Sequence, residues 1–238
     1  LAVSKFPDDE MLVKFDADVK NKDIALVQSF YKNVSDCVIE VILAAATAKQ
    51  LGARKVILIA PYFPYLRQDK RFHKGESISQ GIIASLFDKY FDAIYIIDPH
   101  LHRKDSLKEI FRIKSVKLSA NALIFGYIKK NIKNPLLIGP DSESYKWARN
   151  VAEKIGAESR ILAKKRLSSY DVKVKLNKKI DLKNKNVVIV DDIVSTGHTI
   201  IEAAKLLRRL GAKNIYCICV HGIFVNGALK KLRKNKIK

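Results

Sequence analysis

Residues 187–200 read Val-Val-Ile-Val-Asp-Asp-Ile-Val-Ser-Thr-Gly-His-Thr-Ile. A β-branched run ends in two carboxylates, passes through a Thr-Gly-x-Thr turn and enters a helical pattern, an order that predicts buried strand, loop and helix. Such a loop turns backbone N–H groups toward a helix N-terminus, which favours a phosphate there. Asp191 and Asp192 stand beside it as acceptors for sugar hydroxyls or, through water, for magnesium. One short segment thus offers grips for both ends of a ribose phosphate. An ordinary βα turn with an Asp near the helix cap is the plainer reading, and two acids with Thr196, Gly197 and Thr199 argue against it.

Outward from this segment the pattern repeats. Strand-like runs fall at 24–28, 56–60, 94–98, 136–139, 187–191 and 215–220, and helical patterns near 36–51, 77–90, 143–155 and 199–210. Alternating strands and helices predict mainly parallel sheets flanked by helices, with ligands at the carboxyl ends of the strands. Leu51-Gly52-Ala53-Arg54-Lys55-Val56 parallels Leu210-Gly211-Ala212-Lys213-Asn214-Ile215, each following a helix closed by Gly and feeding a strand. Residues 24–29 then occupy the place of 187–192 without the acid pair. Two related domains are expected, 1–120 without a phosphate loop and 121–238 with one.

Composition narrows the class. The chain has 238 residues and 48% hydrophobic content, and no apolar run reaches membrane-spanning length. Three cysteines without metal spacing predict a reducing, cytoplasmic setting, with Cys217 and Cys219 as core residues. The net charge of +21, from Lys+Arg 45 against Asp+Glu 24, suits anionic ligands. No nucleic-acid motif accompanies it, so the excess is assigned mainly to solvated lysine-rich faces, with 230–238 the densest run. The only methionine is Met11 and the chain opens on Leu1 in mid-pattern, which suggests a missing N-terminal segment; the C-terminus also stops abruptly.

The 187–200 segment resembles the signature of type I phosphoribosyltransferases and of phosphoribosyl pyrophosphate (PRPP) synthetases, the ribose-phosphate diphosphokinases. His198 departs from the small residue usual there. Further matches extend the resemblance to PRPP synthetases over residues 6 to 232. Phe6-Pro7-Asp8-Asp9-Glu10 is similar to that family's Phe-x-Asp/Asn-Gly-Glu adenine-binding segment, with Asp9 in place of Gly. Phe6 offers a stacking face, while Asp8 and Glu10 are acceptors. Tyr65-Leu66-Arg67-Gln68-Asp69-Lys70 resembles the family's Tyr-x-Arg-Gln-Asp-Lys/Arg, which makes Arg67, Gln68 and Asp69 ATP-binding residues. No P-loop or dinucleotide fingerprint is present, so side chains and magnesium must hold the triphosphate.

Asp98-Pro99-His100 resembles the family's Asp-x-His, and Gly139-Pro140-Asp141 its Pro-Asp segment. By resemblance His100 and Asp141 are Mg2+ ligands, and Asp141 also suits a helix N-cap. Lys164-Lys165-Arg166 opens a basic segment that resembles the family's flexible catalytic loop, with Lys164 and Arg166 at the catalytic positions. Lys178, Lys179, Lys183 and Lys185 are assigned to a solvated linker.

The resemblance implies transfer of the diphosphoryl group of ATP to ribose 5-phosphate. Ser195, Thr196, Gly197, His198 and Thr199 would hold the 5-phosphate, with Asp191 and Asp192 on the ribose hydroxyls. It also implies a homo-oligomer in which Phe6, Asp8 and Glu10 complete a neighbour's ATP site. A nucleobase phosphoribosyltransferase would share 187–200 without needing Arg67-Gln68-Asp69 or Asp98-Pro99-His100. A catalytically silent regulatory paralogue and a nucleic-acid-binding descendant are the remaining alternatives.

Overall fold

A computed structural model describes residues 1–101, 103–166, 172–176 and 182–238. The chain divides into two compact units, Leu1–Ser119 and Ala120–Lys238.

The first unit opens with an antiparallel hairpin, β1 (Ala2–Lys5) and β2 (Met11–Lys14). This hairpin precedes the first strand expected from the sequence, at 24–28. Its strands are four residues each and largely exposed, so they carry little hydrophobic signal. Then follow β3 (Asp23–Val27), α1 (Val34–Gln50), β4 (Lys55–Ala60), α2 (Ser79–Tyr90), β5 (Ala93–Ile97) and β6 (Lys114–Leu118). The sheet runs β3-β4-β5-β6, parallel throughout. Phe30, Phe63, Phe87, Phe91 and Phe111 pack ring on ring within its core, edge-on except for the stacked Phe87–Phe91 pair.

The second unit contains α3 (Asn121–Asn131), β7 (Pro135–Gly139), α4 (Ser142–Ile155), β8 (Glu158–Arg166), β9 (Val172–Leu176), β10 (Asn186–Val194), α5 (His198–Arg209), β11 (Asn214–Gly222) and α6 (Ala228–Lys234). Its order is β11-β10-β7-β8-β9, parallel except for the β8–β9 pair. β7 and β10 are almost wholly buried, and alternate side chains feed two cores, one containing Ile138 and Ile189, the other Leu137 and Val188.

The internal echo is geometric. Ile24 pairs with Val56 in one unit and Val187 with Ile215 in the other, so equivalent residues of the repeat meet the same strand position. Both connecting helices end in a Schellman cap: Gly52 and Gly211 donate to the carbonyls of Lys49 and Arg208, while Ala53 and Ala212 reach back to Ala48 and Leu207. Positive φ of 84° and 92° explains why glycine closes each helix. The repeat stops at this strand–helix–strand unit. The first sheet continues from β4, whereas β11 is an edge and the second sheet continues from β10.

Candidate functional site

In the second unit, β7 leads through α4 to β8 on one side, and β10 leads through α5 to β11 on the other. The connections depart in opposite directions from neighbouring parallel strands, which opens a crevice at their carboxyl ends. The β7–β10 register ends at Ile138↔Ile189, while β10 runs on against β11 to Val194↔Gly222. Asp141 follows β7, and Asp191 and Asp192 lie on the stretch of β10 that runs on past the end of its pairing with β7. The strand expected at 187–191 extends to Val194, so Asp192 lies on it together with Asp191.

α4 brings Ser144 between them. Asp141 caps α4 by accepting the Ser144 N–H at 3.0 Å. The Ser144 hydroxyl lies 2.9 Å from Asp141 Oδ1 and 2.8 Å from Asp191 Oδ1. A hydroxyl carries one proton, so serving both carboxylates requires one of them to be protonated. Asp191 is the one so disposed. Burial first, then the charge of Asp192, pushes its carboxyl up to about 7; the Ser144 hydrogen bond opposes the shift and Asp141 adds to it. Asp192 accepts from the N–H of Ile193 at 2.8 Å. Burial also raises the thiols of Cys217 and Cys219, the latter to about 11, as expected of inert core cysteines.

Close packing makes this convergence possible. A Cβ on Gly139 would sit 2.3 Å from the Tyr145 Cα, so only glycine lets β7 meet the start of α4.

Ser195, Thr196 and Gly197 join β10 to α5. Gly197, the N-cap of α5, has φ 71° and no side chain to cap the helix, and the His198 N–H turns back to the Thr196 hydroxyl at 3.4 Å; a helix N-terminus so placed favours an anion. Thr196 and His198 are exposed and Ser195 and Thr199 half-buried, so the His198 ring lies on the solvent side. The loop is braced from beneath by residues the sequence reading did not select. The Val194 carbonyl accepts from Ile223 and Phe224 at 3.0 and 3.1 Å, and Leu232 of α6 packs 3.4 Å from where a Gly197 Cβ would be. The available signal was the Gly222-Ile223-Phe224 sequence after β11: glycine at 222 makes room for the Phe224 ring.

Lys164 and Arg166 sit on β8, paired with Val174 and Val172 of β9. The segment that resembles the family's catalytic loop therefore begins as a β-ladder rather than as a loop. Its remainder, 167–171 and 177–181 with Lys178 and Lys179, lies outside the described residues, as does His102. Lys185, assigned to a solvated linker, instead donates to Glu158 at 2.9 Å.

In the first unit, Phe6, Asp8 and Glu10 stand on the turn of the β1–β2 hairpin. Phe6 and Glu10 close it through a 2.8 Å backbone bond. Asp9, where the resembled family carries Gly, has φ 69°; Asp tolerates the left-handed region better than most residues, so the turn is kept. After β4, buried Phe63 and Leu66 anchor the 67–70 segment. Gln68 is tied to α2: its Oε1 accepts from the Ser79 hydroxyl at 2.6 Å and its carbonyl from the Gln80 N–H at 3.2 Å. Arg67 is exposed, whereas the Asp69 carboxylate is buried against Arg103. Asp98 ends β5 in a left-handed conformation, φ 36°, and His100 follows, half-buried.

Residues 1–90 match the N-terminal domain of ribose phosphate pyrophosphokinase, and residues 106–238 match the phosphoribosyl transferase domain. The ribose-phosphate pyrophosphokinase of Pyrococcus abyssi is 35% identical over 232 residues, covering 98% of this chain and 79% of that protein. That of Thermococcus kodakarensis is 36% identical over 234 residues, covering 98% and 81%.

The chain belongs to the ribose-phosphate pyrophosphokinase family.

The phosphoribosylpyrophosphate synthetase of Mycobacterium smegmatis has a crystal structure that superposes with a TM-score of 0.86 at 27% identity, covering 99% of this chain and 77% of that one. Family membership thus spans both units, which favours this family over a nucleobase phosphoribosyltransferase. Among the described residues no helix is long and apolar enough to cross a membrane.

Proposed function

We propose that the protein transfers the β,γ-diphosphoryl group of ATP to the C1 hydroxyl of ribose 5-phosphate, giving PRPP and AMP in the cytoplasm. The observation that carries this reading is the acid pair and uncapped α5 at the β7/β10 crevice, in a chain similar end to end to pyrophosphokinases. Residues 195–199 take the 5-phosphate through backbone N–H groups and hydroxyls. Asp191 and Asp192 accept from the ribose hydroxyls and orient C1. ATP belongs to the first unit, through Arg67, Gln68 and Asp69 and the hairpin turn bearing Phe6, Asp8 and Glu10. No covalent nucleophile stands out, so the sugar hydroxyl attacks the β-phosphorus directly, and catalysis rests on positioning and charge neutralisation. Lys164 and Arg166 supply that charge.

Magnesium fits Asp141, whose carboxylate stands beside the Ser144 hydroxyl and the Asp191 carboxyl, all oxygen donors suited to a hard cation. Magnesium is commonly bound through one or two carboxylates together with substrate phosphates. When bound, it neutralises charge on those phosphates. His100 is assigned to the same role by family resemblance alone.

AMP release measured with ATP, ribose 5-phosphate and a divalent cation tests the proposal. All three should be required, and Lys164→Ala or Arg166→Ala should lower turnover on the order of 100-fold. AMP release indifferent to ribose 5-phosphate, or undiminished in excess chelator, would overturn it; a folded chain that binds ATP but never turns over would point to the silent paralogue.

A further inference from the structure

We propose that Arg103 is a phosphate-binding residue of the ATP site and that Asp69 acts through it as a positioning residue. The inference rests on the reading that the first unit binds ATP, and it changes what one residue of the 67–69 segment does there.

The Asp69 side chain is only 4% exposed, and Arg103 Nη1 donates to its Oδ1 at 2.5 Å. A carboxylate so enclosed and so paired has little reach toward a ligand. A bare carboxylate beside a triphosphate would also repel it, and the guanidinium removes that penalty. Arg103 itself is 49% exposed along its side chain, so the contact fixes one nitrogen and leaves the rest of the planar fork facing outward.

The surroundings suit a nucleotide polyphosphate. The Phe72 ring, 55% exposed, has the Arg103 guanidinium 6.0 Å from its centroid and the Lys70 ammonium 5.4 Å away. Two cations thus meet at one exposed aromatic ring. The backbone carrying Phe72 is held independently: Glu76 accepts from the N–H groups of Phe72 and His73 at 2.8 and 3.1 Å, and Arg71 donates to the Glu76 carbonyl. These backbone bonds lower the Glu76 pKa and keep its charge on the loop. The cluster is therefore preorganised, with its negative charges committed to backbone or to Arg103. Neither Arg103 nor Phe72 belongs to the motifs selected from the sequence, because the fold alone brings residue 103 back to residue 69.

The experiment is a kinetic double-mutant cycle on the full chain, following PRPP formation with ATP and ribose 5-phosphate varied separately. Arg103→Ala should raise the KM for ATP on the order of 10-fold, the usual weight of one charge-assisted hydrogen bond, and leave that for ribose 5-phosphate unchanged. Arg103→Lys, which keeps the charge, should recover part of the loss. Asp69→Asn should act in the same direction, and in the Arg103→Ala background it should add nothing. Unchanged ATP dependence in Arg103→Ala overturns the proposal, as do effects of the two substitutions that multiply, since Asp69 would then serve ATP by itself. Should Asp69→Asn not fold, the Arg103→Ala and Arg103→Lys pair decides the matter. If the wild-type chain makes no PRPP, the proposed activity is what fails. Calorimetric titration of ATP into wild type and Arg103→Ala then tests the phosphate contact separately: equal affinities overturn it and a weakened variant upholds it.

Discussion

Asp191 carries the sharpest conflict between stability and function. Its carboxyl is raised to about 7 from an ordinary 3.8, chiefly by burial. The folded state therefore binds a proton that the unfolded state has already lost over that interval, and stability falls as pH rises through it. Below about pH 4 both states are protonated and nothing is lost; above about pH 7 the loss is complete, on the order of 4 kcal/mol. Asp191→Asn keeps the shape and removes the titration. Without divalent cation, the variant should match wild type near pH 4 and grow more stable than it toward pH 8. Urea denaturation across that range measures the difference, and a constant gap would show that Asp191 titrates normally. The predicted stabilisation has a counterpart in the proposed function: an acid that weakens the fold when ionised, across Ser144 from Asp141 and just before the proposed phosphate loop, gains most from a ligand that relieves its charge.

At the scale of elements, the close approach of β7 and α4 decides whether the crevice exists. Gly139→Ala would place a methyl group 2.3 Å from the Tyr145 backbone, which cannot move without shifting α4 and its Asp141 cap. A loss of about 3 kcal/mol is expected. Gly126→Ala in α3 is the matched control, since nothing lies within 4 Å of its Cβ; the same change there should stabilise by about 1 kcal/mol. Thermal melts of the two variants should move in opposite directions, and similar shifts would contradict the packing argument. Elements of this kind were readable where periodicity or punctuation was strong. The six strands and four helices expected from the sequence all appear, since each buries at least one face and the central strands bury both. The β1–β2 hairpin escaped because its strands bury almost nothing, and β8–β9 because alternating lysines look like linker. The acid pair and the turn into α5 were legible because their sequence pattern is local. Ser144, Phe224, Leu232 and Arg103 were not, because each gains its role only when distant segments meet.

For the whole molecule, the open question is how a chain of net charge +21 assembles. The hairpin turn bearing Phe6, Asp8 and Glu10 is exposed, with Phe6 itself 49% accessible. We propose that it completes the ATP site of a second copy, as the family resemblance implies. Exposed apolar residues near the turn, Val3, Leu12, Ile39 and Leu43, would supply the burial that such an interface needs. Like charge opposes association over a range set by screening, about 10 Å at 0.1 M salt, so assembly should be weak at low ionic strength. Moderate salt and magnesium–ATP should both favour it, the first by screening and the second by adding anionic charge at the shared site. Sedimentation velocity should therefore show dimers or larger species that grow with salt and nucleotide. A fully active monomer at assay concentration would remove Phe6, Asp8 and Glu10 from a neighbour's site while leaving the phosphate loop and its acids as they stand.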